Sequence, residues 1–213
     1  TLWHEDFGGR FSRMRDAEIA NLYGDGAAIA VATHDQGVVA TIRRQGDAWN
    51  VSRLDQRPNT FVHEIEIGDL DHDGVLEVYA TPSDPNDLDA SHQHGEVVRY
   101  VPSTGAHAVV ADLGDRHAKE IYVGDVDGDG TDELYVAVEA LMSGGADSQI
   151  LKYTTDGKFV MQIGKKGARL RPGNERPRIS DPNSLDMESF GHPTKVVVDA
   201  KTNEAYVSDG YVN

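Results

Sequence analysis

Two stretches of the chain, IEIGDLDHDGVLEVYA (Ile65–Ala80) and IYVGDVDGDGTDELYVA (Ile121–Ala137), alternate apolar and polar residues on either side of an acidic turn. A period of two is the mark of a strand with one face buried, so each stretch predicts strand, turn, strand. A worn copy precedes them in DAEIANLYGDGAAIAVATHDQG, where Ile19, Gly26 and Thr33 sit 48 residues before Ile67, Gly74 and Thr81. Gly130 follows Gly74 by 56 residues. A spacing of about 50 residues built from short strands points to propeller blades or a solenoid.

Each repeat has room for four strands. The first predicts Ala17–Leu22, Ala27–Thr33, Gly37–Arg43 and Trp49–Arg53. The second predicts His63–Gly68, Leu76–Thr81, Glu96–Val101 and His107–Asp112. The third predicts Glu120–Gly124, Glu133–Glu139, Gln149–Thr154 and Phe159–Ile163. Turn signals RQGD, PSTG and TDG separate them. Residues 1–12 carry aromatics without a period, as an outer strand or a lead-in would.

The two intact turns carry the chemistry. One offers Asp69, Asp71, Asp73 and Glu77, the other Asp125, Asp127, Asp129 and Glu133. Gly74 and Gly130 allow a sharp bend, and alternate acids on a tight loop aim several hard oxygens at one point, which suits Ca²⁺. An EF-hand is excluded. Its twelfth loop position needs a bidentate Glu, and here the corresponding residues are Ala80 and Val136. In the worn copy Asn21, Tyr23 and Asp25 replace the run of acids and Ile29 replaces the last one, so the turn is kept and the metal is not expected.

This strand–acidic loop–strand pattern resembles the calcium loops of FG-GAP/VCBS repeats in integrin-type β-propellers. The resemblance covers residues from about 16 to 140 and implies two Ca²⁺ sites. It also implies a backbone carbonyl at the seventh loop position, adding those of Val75 and Thr131. The last segment, HPTKVVVDAKTNEAYVSDGYVN, resembles half a blade of the NHL-repeat type. It also resembles the matching segment of peptidyl-amidoglycolate lyases, in which the Tyr of Asp-Gly-Tyr is catalytic. That position is Tyr211 here; the Cys that follows it in the lyases is Val212, and their zinc histidines cannot be placed.

The expected fold is therefore all-β, an incomplete propeller of about three and a half four-stranded antiparallel blades. Residues 1–163 would form blades with two calcium loops, 164–192 a long basic loop, and 193–213 a half blade of the same propeller. A longer protein or a second copy would complete the ring; in the alternative, a compact four-bladed ring, the first dozen residues close the last blade. The loop of 164–192 carries Lys165, Lys166, Arg169, Arg171, Arg176 and Arg178 against Glu175 in its first half, a patch for an anionic partner or for the protein's own acidic face, or a solvated loop.

Charge and composition narrow the partners. The 213-residue chain has a formal net charge of −16, which argues against a nucleic-acid backbone. It has no cysteine, and no apolar run approaches the roughly 18 residues of a membrane span. Thr1 rather than Met at the start fits a processed or partial protein, and millimolar calcium outside cells makes an extracellular or periplasmic location the expected one.

A ligand site is expected on the face opposite the calcium loops, where the inner strands begin. Aligning the repeats places Arg15 with Asp16, His63 with Glu64, and Lys119 with Glu120 at those starts. The following loops add His34, Asp35, Ser83, Asp84, Asn86 and Glu139, within reach of His92, His94 and His117. Such a ring would bind a protein or glycan. The alternative is a polysaccharide or peptidyl-amidoglycolate lyase using His63, His117 and Tyr211, since an imidazole can act as base near neutral pH. The plainer alternative is that these pairs are ion pairs joining neighbouring blades. No nucleophile-elbow, P-loop, zincin or dinucleotide-binding motif occurs.

Overall fold

The computed structural model describes residues 3–8, 14–34, 36–83, 94–114, 116–140, 149–165, 190, 193, 195–199, 201–202 and 204–208. At 117, 119, 139 and 140 the backbone alone is described. Among these residues all regular structure is β. The first sheet holds β1 (Met14–Ala20), β2 (Ala28–Thr33), β3 (Val38–Gln45) and β4 (Ala48–Gln56). The second holds β5 (Phe61–Gly68), β6 (Glu77–Ser83), β7 (Gly95–Val101) and β8 (Ala106–Gly114). The third holds β9 (Arg116–Gly124), β10 (Glu133–Ala140), β11 (Gln149–Tyr153) and β12 (Phe159–Ile163). The hairpin of β13 (Lys195–Asp199) and β14 (Glu204–Ser208) is the fourth sheet. Within every sheet the strands follow chain order and pair antiparallel, and among the described residues no sheet closes on itself.

All twelve strands expected in the three repeats are present, with ends displaced by a few residues, further out at β4 and the start of β9 and short of the expected end at β1. The sheets stack in chain order. Between the first and second lie Ala30, Ala32 and Val39 against Val62, Ile65, Val78 and Tyr100. Between the second and third lie Leu70, Tyr79 and Val97 against Ile121, Val123, Leu134 and Val136. The hairpin adds Val196 to Tyr135, Ala137 and Ile150 of the third sheet, with Phe190 against them. The second strand of each four-stranded sheet is thus covered on both faces, and β6 is buried along its whole length.

Close approach between sheets depends on small residues. A Cβ on Gly68 would lie 2.4 Å from Val123 Cγ1, so only glycine lets β5 and β9 come together there. Polar ties reinforce the first seam. Arg57 bridges Asp55 and Glu96 at 2.9 and 2.8 Å, and the Tyr100 hydroxyl donates to Asp55 Oδ2 at 2.6 Å.

Among the described residues the start of the chain forms no strand and closes no sheet. Residues 3–8 are irregular, and Trp3 and Phe7 pack on the outer face of the first sheet against Val31, Val38, Ala40 and Ile42. Among the described residues β14 pairs with β13 alone. That outer face leaves Ile19 exposed, as the free face of the hairpin leaves Val197 and Tyr206.

Candidate metal centres

The loops β1–β2, β5–β6 and β9–β10 share one construction. In each, an Asx side chain accepts a hydrogen bond from the glycine amide five residues on: Asn21 Oδ1 from Gly26 at 3.0 Å, Asp69 Oδ2 from Gly74 at 2.9 Å, and Asp125 Oδ2 from Gly130 at 2.9 Å. These glycines have φ of 136°, 84° and 92°, a region where a side chain is strained. The second oxygen of Asp69 accepts from the Asp73 amide, and that of Asp125 from the Gly128 amide.

In the two intact loops this turn brings three carboxylates together. Asp69, Asp71 and Glu77 present oxygens all within 4.8 Å of one another, and so do Asp125, Asp127 and Glu133. The Asp residues face solvent to varying degrees, while Glu77 and Glu133, at the first positions of β6 and β10, are 1% and 7% exposed. The floor of each site is organised differently. The Val126 amide donates to Glu133 Oε2 at 3.0 Å, whereas the Leu70 amide donates to the Tyr79 hydroxyl, which donates in turn to Glu77 Oε2. Burial raises the pKa of both glutamates, and their aspartate neighbours push it the same way.

Each triad already receives a positive group. Arg99 Nη1 contacts Asp71 Oδ2 and lies 3.3 Å from Glu77 Oε1. Lys152 Nζ lies 3.6 Å from both Asp127 Oδ2 and Glu133 Oε1. An all-oxygen, carboxylate-rich set fits a hard divalent cation. A carboxylate that accepts one backbone amide per oxygen keeps lone pairs for such an ion. The residues therefore suit a metal, with Asp69, Asp71, Glu77 and Asp125, Asp127, Glu133 as its side-chain ligands.

Asp73 and Asp129 stand outside the triads. Their Oδ1 atoms accept from the Val75 and Thr131 amides at 2.8 Å, bracing the turn. The worn loop has no triad: Asp25 pairs with Arg43 at 3.2 Å, and the Arg43 guanidinium lies 4.2 Å from the Tyr23 ring centroid.

At the other end of the sheets several of the expected ligand-face residues meet. Arg15 Nη2 donates to His63 Nε2 at 3.0 Å, so the ring proton is on Nδ1, 3.6 Å from Glu64 Oε2. Arg15 also lies over the Phe61 ring, which packs 4.2 Å from buried His34. Asp16 Oδ2 accepts from the Ile65 amide at 3.0 Å. Glu120 takes Lys195 Nζ at 3.0 Å from the hairpin. The Arg15, Asp16 and Glu120 contacts all span two sheets. His94 stands apart, 3.4 Å from Asp112. The side chains of His117, Lys119 and Glu139 lie outside the described residues, as do Asp35, Asp84, Asn86, His92, Tyr211 and nearly all of the basic loop.

The inner strands also form an acidic seam that the expected ligand-face set only partly includes. Burial, then a hydrogen bond to Asp16, pushes Glu64 up to about 9. Burial and Glu18 push Glu66 up to about 7. Glu18 and Glu66 are themselves 48 residues apart, the same repeat that revealed the loops, so their meeting was readable. Lys195 lies outside the repeat and had no such signal. Comparisons with protein-family models, with curated proteins and with solved structures find no match to this chain.

Proposed function

We propose that this chain is a calcium-binding β-propeller module whose three four-stranded sheets and final hairpin are consecutive blades of an incomplete ring. The observation that carries the reading is the paired triad. Two loops at the same place in successive sheets gather two aspartates and a buried glutamate around one point, while the loop lacking the acids keeps only the turn. The FG-GAP/VCBS resemblance is consistent with the stacking of the sheets and with the neighbouring first strands. It adds the carbonyls of Val75 and Thr131 to the ligand set, with Asp73 and Asp129 turning inward when metal arrives. The uncovered Ile19 and Val197 faces suit a longer chain or a second copy completing the ring.

The module would be exported and bind a protein or glycan at the Arg15, His34 and His63 end, away from the metal. The contacts of Arg15, Asp16 and Glu120 across sheets favour a binding module over a lyase, because they commit these groups to holding the seam.

Calorimetry on chelator-treated protein should count two Ca²⁺ per chain, and one or none rejects the reading. Metal that binds only the folded state stabilises it by about 2.7 kcal/mol per site at 100 times its Kd. EDTA should therefore lower the Tm, and Asp127→Ala should reproduce part of that loss at saturating calcium.

A further inference from the structure

We infer that Arg99 and Lys152 are tethered counter-cations that hold the two loops closed without metal, leave when Ca²⁺ binds, and so set the affinity of each site. The inference rests on the calcium reading of the triads.

The first support is their placement. Arg99 stands opposite Tyr79 in the β6–β7 ladder, and Lys152 opposite Tyr135 in the β10–β11 ladder. Each tyrosine lies two residues after the triad glutamate. The same point of two successive repeats therefore sends a basic side chain from the third strand onto the face that carries the buried acid.

The second is occupancy. Each basic group contacts one triad aspartate and the glutamate, two of the three carboxylates a metal would need at about 2.3–2.6 Å. A divalent ion at that point would sit within a few ångströms of the guanidinium or ammonium, where like charges repel strongly. The long side chain can swing toward solvent, and the ion cannot move off the triad, so binding of one expels the other. In its present position Arg99 leaves Nε buried without a hydrogen-bond partner, which lowers the cost of its departure.

The third is the worn loop. There Ile29 replaces the last acid, and Arg43 from the third strand, at a different register, pairs with Asp25, the counterpart of Asp73. Charge compensation by a third-strand base thus accompanies the turn even where no metal site remains. The two competitors also differ. Arg99 Nη1 lies 3.3 Å from its glutamate and Lys152 Nζ 3.6 Å from its own, and the guanidinium spreads its charge over a planar group of fixed donors. The Asp125 site should therefore fill at lower calcium than the Asp69 site.

The test is calcium titration by calorimetry, together with melting in EDTA and in saturating calcium. One site is read at a time, by removing the other with Asp127→Ala or Asp71→Ala. Arg99→Gln and Lys152→Gln should each tighten Ca²⁺ at their own site by about fivefold, the order of a partly exposed ion pair. Each should lower the Tm in EDTA and leave it nearly unchanged in saturating calcium. Arg99→Lys should move the Asp69 site toward the affinity of the Asp125 site. Unchanged or weaker binding in the Gln variants, or an equal fall in Tm with and without calcium, overturns the inference while leaving the calcium sites standing. A parent protein that binds no calcium overturns both.

Discussion

His72 Nε2 accepts a hydrogen bond of 2.7 Å from the backbone N–H of Asp132, joining the first acidic loop to the second across two sheets. His72 lies between Asp71 and Asp73 and is held at a φ of 54°, while Asp132 lies between Thr131 and Glu133. A change in the shape of one loop therefore reaches ligand-bearing residues of the other. His72→Ala should cost about 0.5–1.5 kcal/mol of stability and make the two proposed calcium sites bind independently. Denaturant unfolding measures the first effect, and calcium titration of parent and variant the second. Identical titration shapes in the two proteins would show that the loops do not communicate.

The acidic seam predicts a pH dependence. Glu64 is raised to about 9 and Glu66 to about 7 from the ordinary glutamate value of 4.5, chiefly by burial. Between 4.5 and those values the folded chain holds protons that the unfolded chain has lost. Stability from this source is thus complete below about pH 4.5 and declines as pH rises through 7 toward 9. The groups facing the seam are Asp16 and Glu18 from β1, His63 beside Glu64 on β5, Glu120 and Tyr122 from β9, and Lys195 from β13. Chemical denaturation across pH 5 to 9 at saturating calcium should show the decline, and Glu64→Gln should flatten it. An equally steep profile in the variant would locate the effect elsewhere.

Gly68 predicts a steric coupling. A methyl group there meets the Val123 side chain, so Gly68→Ala should destabilise by about 1–3 kcal/mol through overpacking. Combining it with Val123→Ala should return part of that loss relative to the sum of the single changes. Strict additivity in the double-mutant cycle would mean that the seam yields elsewhere.

Strands and acidic turns are local, and the sequence alone determined them. Period-two alternation decides which face of a strand is buried. An Asx residue with a glycine five positions on suffices for the turn, as Asn21–Gly26 shows even without the acids. The spacing of Asp69, Asp71, Asp73 and Glu77 predicted a convergence for the same reason, and Asp69, Asp71 and Glu77 meet while Asp73 stands outside. The assembly of residues from different strands and sheets was left to tertiary structure. Nothing in the linear order of Arg99 or Lys152 distinguishes them from solvated bases; the β6–β7 and β10–β11 registers put them on the triads. His72 reads as a loop histidine until the neighbouring sheet brings Asp132 to it. The sequence left open whether Arg15 and His63 border a ligand site or join neighbouring sheets; the stacking of the sheets brings them into contact. A turn is set by a few consecutive dihedrals that the residues themselves prefer. A contact between sheets is set by how whole apolar faces pack, and that choice is spread over the chain rather than written at either partner.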